Sequence, residues 1–127
     1  MIVEIPRFSQ AKFEIHREHM MNPIVQDKED NQLRYIPNVF PWHGHVCNYG
    51  AFPQTWENPF HEDEWTGLKG DKDPIDVCEV GTKPFATGTV LPVKVRSKTL
   101  IFSYNLDFRF LASLACLTVV RPTGRLL

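Results

Sequence analysis

The chain has 127 residues, 43% of them hydrophobic and 23% charged, and a formal net charge of -1. This length accommodates one domain with a moderate core, and this composition excludes disorder throughout the chain. The charge is unevenly distributed, because residues 1–95 hold 14 acids and 9 Lys or Arg, whereas residues 96–127 hold one acid and five basic residues. The five basic residues are dispersed among apolar ones and form no compact patch, so we expect no nucleic-acid partner.

Short strands separated by turns are predicted along the first 95 residues. Apolar and polar residues alternate, or nearly alternate, in several short runs that Gly, Pro and Asn interrupt. The predicted strands are residues 2–5, 12–15, 33–36, a segment that begins at 75, and 88–95. The run 38–56 is dense in aromatic, Gly and Pro residues, which is typical of short, bent strands in a small barrel. Helix signals are scarce, so we expect a mainly β fold.

Lys12 and Glu14 point to the same face of the second predicted strand, since side chains alternate along a strand. If that face is exposed to solvent, Lys12 and Glu14 are ordinary surface charges. If the face lines a cleft, the two residues form a charged side of that cleft. The segment that follows, residues 16–32, is mostly polar and predicts a charged turn at 27–31.

Residues 110–120 form an apolar run of eleven, too short for a bilayer span, which needs about 20 residues. Extending the run towards Leu100 adds Asn105, Asp107 and Arg109, each costly in hydrocarbon. We therefore expect no membrane partner. Periodicity does not distinguish a buried helix from a strand in this run.

Cys47, Cys78 and Cys116 are an odd number of cysteines without paired spacing, and no secretory leader precedes them. None has the close His or Cys partner of a zinc site, so we expect free thiols that pack as small buried hydrophobes. Free thiols fit a reducing compartment, and we expect a cytoplasmic protein.

Three carboxylates, those of Asp71, Asp73 and Asp76, fall within six residues, and Pro74 stiffens the turn between the second and the third. Hard cations such as Mg²⁺ take oxygen ligands, so this turn can meet one ion or two adjacent ions at little ordering cost. For an Asp-x-Asp pattern alone, an acidic loop lying in water is the alternative. The strand predicted from Ile75 favours the metal site, because it puts Asp76 on a rigid element.

Six segments occur in the order and with the spacing of a known family. They are residues 3–7, 11–15, 22–24, 33–35, 48–57 and 73–77. From about residue 2 to Val95, the chain resembles the soluble inorganic pyrophosphatases of the eukaryotic family I type. The resemblance implies an OB-like small β-barrel whose cleft hydrolyses pyrophosphate to two phosphates with several Mg²⁺ ions. It also implies a cytosolic enzyme whose full-length relatives are homodimers.

The resemblance assigns the acidic residues to the metals. Asp71 and Asp76 would be ligands of the activating ions, and Asp73, a ligand between them, would orient or deprotonate the attacking water. Glu14 would help to hold a metal on the substrate side, and Glu4 would act on the metals through waters.

The resemblance assigns the remaining site residues to the substrate and the proton transfer. Arg34 and Lys12 would grip phosphate oxygens, Arg34 with its planar fork. Tyr49 would form hydrogen bonds within the site. His45 stands where the family has a Tyr proton donor, and its ordinary pKa of about 6.5 would shift the pH dependence downward. Taken singly, each of these residues also fits a surface or half-buried barrel position.

The chain departs from the family pattern in three ways. Lys72 occupies the position where the turn commonly has Asn. We expect its side chain to point outward, and the alternative is that it competes with Mg²⁺ and weakens the metal affinity. Phe8 replaces a Trp, a change within packing tolerance. Residues 96–127 match neither the acidic loop nor the Tyr-Lys pair of the family.

We therefore expect a truncated, partial barrel domain over 1–95 and a divergent tail over 96–127. Truncation would impair hydrolysis. The alternative is an inactive fragment that acts as a binding module or is an unstable product.

Overall fold

The computed structural model describes residues 1–38, 40–64, 67–99 and 116–120. The strands in these ranges are β1 (Ile2–Ile5), β2 (Phe13–Ile15), β3 (Ile24–Gln26), β4 (Lys28–Glu29), β5 (Gln32–Leu33), β6 (Asn48–Phe52), β7 (Ile75–Glu79), β8 (Lys94–Thr99) and β9 (Cys116–Val120). The described ranges contain no helix, and so none long and apolar enough to cross a membrane. The mainly β prediction is confirmed.

Five of these strands form the main sheet, in the order β1-β6-β7-β9-β8. β6 pairs antiparallel with β1 on one side and with β7 on the other, so that Gly50 lies between Val3 and Val77. A Cβ on Gly50 would lie 2.0 Å from the carbonyl oxygen of Ile2, so β1 can approach this closely only because the residue is glycine. Over the described residues the sheets do not close into a barrel.

The far side of the sheet comes from late in the sequence. β9 pairs parallel with β7 and antiparallel with β8, and so lies between them. Within the apolar run 110–120, residues 116–120 are therefore strand, while 110–115 lie outside the described residues. The boundary proposed between residues 95 and 96 stays a prediction, and β8 runs across that position.

Two small hairpins follow β1. β2 pairs with β3, and β4 pairs with β5. Sequence patterns missed β3 and β4, because strands of three and two residues are too short to show alternation. The predicted strand 33–36 is shorter than expected: β5 ends at Leu33, and Tyr35 forms only an isolated bridge with Ala11.

The predicted strand over 88–95 is wrong for most of its length. Val90 makes one isolated bridge to Ile2, and the regular strand begins only at Lys94. Pro92 lacks the amide that a ladder needs, and Gly88 has a φ of 83°, outside the strand region. Both features bend the chain away from regular pairing.

The core lies on β1, β6 and β7. Val3, Ile5 and Val77 are fully buried, and Phe52, Phe85 and Val93 pack against the cluster that includes Val3 and Val77. Asn48 is also fully buried. Its Oδ1 accepts hydrogen bonds from the amides of Arg7 and Phe85 at 3.1 and 3.0 Å, and its Nδ2 donates to Glu79 Oε2 at 2.7 Å. This side chain joins the end of β1, β6, β7 and the loop after β7.

Cys47 and Cys78 are free cysteines, as predicted, with Cys47 buried and Cys78 half-buried. The Cys78 side chain hydrogen-bonds to Cys47, and this contact is the main cause of a lowered pKa at Cys47. The expectation for the third thiol, Cys116, lies outside the described side chains.

Candidate active site

Lys12 and Arg34 are brought together by a carboxylate that sequence reasoning missed, Asp27. Lys12 Nζ lies 2.8 Å from Asp27 Oδ2, and Arg34 Nη1 lies 2.6 Å from the same oxygen. Backbone hydrogen bonds between residues 12, 27 and 34 fix the three segments in place. Lys12 Nζ is also 2.9 Å from Glu14 Oε2, which places Lys12 and Glu14 on one face, as predicted. The Asp27 side chain is 14% exposed, so this charged group is largely shielded from water.

The Asp27 and Lys12 charges stabilise each other. Burial raises the pKa of Asp27, but hydrogen bonds from Lys12 and Arg34 outweigh it and hold the pKa below its ordinary value. Burial lowers the pKa of Lys12, but its hydrogen bonds to Asp27 and Glu14 leave that pKa above its ordinary value. The register of the β2–β3 hairpin explains the position of Asp27: Phe13 pairs with Gln26, so the residue before β2 faces the residue after β3. No pattern in the sequence marks this register.

The turn of residues 71–74, which we call the Asp turn, is hydrogen-bonded to the segment 55–58. The amide of Glu57 donates to the carbonyl of Asp73 at 2.9 Å, and the amide of Lys72 donates to the carbonyl of Glu57 at 3.1 Å. Thr55 Oγ1 accepts from the amide of Ile75 at 2.8 Å. The amide of Asp73 donates to Asp71 Oδ1 at 3.0 Å, so these two acids are in direct contact through the backbone. The turn is therefore tied to its neighbours by its main chain.

Asp76 lies on β7, opposite Ala51 of β6, where the sequence placed it on a strand. Lys72 occupies the left-handed region with a φ of 76°, and its side chain is exposed. An exposed Lys72 agrees with the outward orientation expected for it.

Arg17 is a second residue that sequence reasoning missed. Its Nη2 lies 2.6 Å from Asp73 Oδ1, and its Nη1 donates to the carbonyl of Lys72. Burial and the neighbouring Asp71 raise the pKa of Asp73, while Arg17 opposes this rise. Arg17 lies on the loop after β2, where no alternation or motif marks it.

Glu4, on β1, is hydrogen-bonded to β2, the strand that carries Glu14. It is 6% exposed, and its Oε1 accepts a hydrogen bond from the amide of Ile15 at 2.9 Å. Burial, with smaller contributions from Asp76 and Glu14, raises the pKa of Glu4 to about 7. Glu4 therefore lies within electrostatic range of two expected metal ligands, behind β2.

His45 and Tyr49 form a pair. Their ring centroids are 4.8 Å apart and the rings are inclined by 5°, so they stack face to face. Burial lowers the pKa of His45 below its ordinary value. The imidazole is therefore mostly neutral at pH 7, and its protonated form is populated only in more acidic solution.

The expected metal ligands have the right chemistry, since all are carboxylates and hard cations bind oxygen. Their side chains do not form a complete coordination site in the structure. Among the residues that the structure describes, no three His, Cys, Asp or Glu side chains converge enough to hold an ion. Asp73 and Glu14 are instead engaged by Arg17 and Lys12, each through one carboxylate oxygen.

Comparison with known proteins identifies close relatives. The inorganic pyrophosphatase family profile matches residues 1–97. The human inorganic pyrophosphatase is 55% identical over 95 residues, which cover 75% of this chain and 33% of the human protein. The mouse mitochondrial inorganic pyrophosphatase 2 is 49% identical over 113 residues, 88% of this chain and 34% of the relative. The chain thus spans about a third of the length of these relatives.

Solved structures share the fold. The inorganic pyrophosphatase of Schistosoma japonicum superposes with a TM-score of 0.83 at 49% identity, covering 95% of this chain and 41% of that one. A truncated Trypanosoma cruzi vacuolar soluble pyrophosphatase, solved in complex with PPi, gives a TM-score of 0.81 at 33% identity, with coverages of 96% and 42%.

Proposed function

Because this chain belongs to the inorganic pyrophosphatase family, we propose that it carries out Mg²⁺-dependent hydrolysis of inorganic pyrophosphate to two phosphate ions. One observation of the structure carries the proposal. Arg17, on the loop after β2, pairs with Asp73 Oδ1 at 2.6 Å, and Lys12, beside the same strand, pairs with Glu14 Oε2 at 2.9 Å. The acidic turn and the basic residues of the hairpins therefore share one site, which is what a polyanion that arrives with cations requires.

The acids and bases divide the work in this proposal. Asp71, Asp73, Asp76 and Glu14 would hold Mg²⁺, whose chemistry when bound is to neutralise pyrophosphate charge and to lower the pKa of a water. Asp73 would also orient or deprotonate the attacking water. Glu4 would act on the metals through waters.

Lys12 and Arg34 bind phosphate oxygens in this proposal. Asp27 holds both side chains in place, so they need little ordering when pyrophosphate arrives. His45 and Tyr49 serve the leaving phosphate, with His45 as the proton donor. Since burial lowers the pKa of His45, loss of activity through deprotonation of this residue should occur at a lower pH than for an ordinary histidine.

Phosphate release from pyrophosphate, with and without Mg²⁺, tests the function. Asp73→Asn should lower the rate at least about 100-fold, because removing a metal-site carboxylate typically costs orders of magnitude. Asp30→Asn is the matched control, since Asp30 is exposed, lies in a turn with a φ of 51°, and tolerates Asn. Equal release by the unmodified chain and by Asp73→Asn would reject catalysis.

We also propose a cytoplasmic location. The free thiols of Cys47 and Cys78 support a reducing compartment. One relative is named as mitochondrial, so fractionation of cells that express the chain should distinguish the two compartments.

Homodimerisation, expected from the resemblance to full-length relatives, is a further part of the proposal. Light scattering coupled to size exclusion tests it, and a concentration-independent monomer mass would reject it.

A further inference from the structure

Arg17 makes two contacts to the Asp turn with one guanidinium. Nη2 pairs with Asp73 Oδ1 at 2.6 Å, and Nη1 donates to the carbonyl of Lys72. The positive φ of Lys72, 76°, belongs to the turn that presents this carbonyl. The planar fork of arginine suits such a two-point contact, and lysine does not.

The loop that carries Arg17 is folded by its own hydrogen bonds. Asn22 Nδ2 donates to the carbonyl of Arg17 at 3.0 Å, and the amide of Asn22 donates to the carbonyl of His19 at 3.0 Å. The amide of His16 donates to the carbonyl of Pro23 at 2.8 Å, which closes the base of the loop. Arg17 is thus directed to the Asp turn by an ordered segment.

The position of Arg17 differs from that of the other site cations. Lys12 and Arg34 are both anchored on Asp27, a residue outside the expected metal ligands. Lys12 also pairs with the expected ligand Glu14. Arg17 has no such second anchor among the ion pairs of the described residues. Arg17 pairs with Asp73, which the proposed function assigns to a metal. Its side chain is 49% exposed and that of Asp73 is 52% exposed, so the pair lies in water and can separate at small cost.

We propose that Arg17 is the counterion of Asp73 in the metal-free protein, which a divalent cation must displace, and that Arg17 thereby sets the divalent affinity of the site. This inference rests on the metal-binding role of Asp73 in the proposed function. Arg17 is a positioning residue in this scheme. It neutralises an acidic turn that would otherwise repel itself, and it gives way when a stronger cation arrives.

Calorimetric titration of the unmodified chain with MgCl₂ is the test, with three variants beside it. Arg17→Gln should bind Mg²⁺ about two- to five-fold more tightly, the range that an exposed ion pair supports. Arg17→Lys keeps the positive charge but lacks the planar guanidinium. Its Mg²⁺ affinity should lie between those of the unmodified chain and of Arg17→Gln. Arg96→Gln, at an exposed arginine on β8, removes the same charge elsewhere and should leave the affinity unchanged.

Hydrogen exchange is a second measurement, and its response to Mg²⁺ would be absent if Arg17 had only a structural role. Adding Mg²⁺ should speed amide exchange in residues 16–22, since the loop loses its contact with the Asp turn. The same addition to Arg17→Gln should leave exchange in this loop unchanged.

The outcomes separate this inference from the proposed function. Equal or weaker Mg²⁺ binding by Arg17→Gln would overturn the inference, whatever the hydrolysis rate. Absence of saturable binding in every variant would overturn it together with the metal role of Asp73. The expected order of affinities without phosphate release in any variant would leave the inference standing and reject the proposed function.

Discussion

Glu4 is a buried carboxyl whose protonation should couple stability to pH. Its pKa in the folded chain is about 7, raised mainly by burial from an ordinary value of 4.5. Between these values the folded state binds the proton more tightly than the unfolded state does. Proton binding by Glu4 therefore contributes fully to the free energy of unfolding below about pH 4.5, and this contribution is lost as the pH rises through 7.

Glu4→Gln should remove this dependence, because glutamine does not ionise and its oxygen can still accept from the Ile15 amide. Measured by urea unfolding in EDTA, the variant should gain up to about 3 kcal/mol relative to the unmodified chain between pH 5 and pH 8. Glu64→Gln, at an exposed glutamate, serves as the control. Parallel pH profiles for the unmodified chain and Glu4→Gln would contradict the pKa argument.

Asp27 offers a second prediction at the scale of the residue. Asp27→Asn should lower the free energy of unfolding by about 1–3 kcal/mol, since it leaves Lys12 and Arg34 close together without their shared partner. Glu29→Gln tests the same Arg34 at an exposed pair, where the Glu29 side chain is 70% exposed, and should cost less than about 0.5 kcal/mol. Equal unfolding midpoints for the two variants would show that burial does not strengthen the Asp27 group.

At the scale of the element, the β1–β6 pair depends on one glycine. Gly50→Ala would place a methyl group 2.0 Å from the carbonyl oxygen of Ile2, a backbone atom that cannot move without disrupting the ladder. We expect a loss of roughly 2–4 kcal/mol, measured as a lower urea midpoint.

Gly88→Ala is the matched control for this change. Gly88 has a φ of 83° but open space around it, so alanine there meets only backbone strain, about 1–2 kcal/mol. If Gly88→Ala cost as much as Gly50→Ala, the close approach of β1 would not be the cause.

The elements also show what the sequence can and cannot predict. β1, β2 and β7 were predicted because alternation over four or five positions, or a stiff turn before them, marks a strand. β3 and β4 escaped because they are too short for any period. The candidate site divides in the same way. The roles of Asp73 and Arg34 could be proposed from a motif and a family resemblance and stay predictions. Asp27 and Arg17 make their contacts through hairpin register and loop folding, which no single-sequence pattern encodes.

At the scale of the whole molecule, β9 determines whether the sheet is complete. β8 pairs with β9, and β9 pairs with β7, so a chain of residues 1–99 would leave the outer edge of β7 unpaired. Hydrogen exchange should then be faster at residues 75–79 than in the complete chain. A chain of residues 1–120 keeps β9 and is the control. Equal protection of β7 in the two chains would contradict the sheet order.

The insertion of β9 beside β7 also bears on how the chain emerges from the ribosome. At about 5–20 residues per second, the stretch from residue 80 to residue 120 takes roughly 2–8 s to synthesise. During that interval β7 presents bare amides and carbonyls to other nascent chains, and such edges template wrong pairing. Early protection by a chaperone would matter more for this protein than for one whose strands pair in the order in which they are translated.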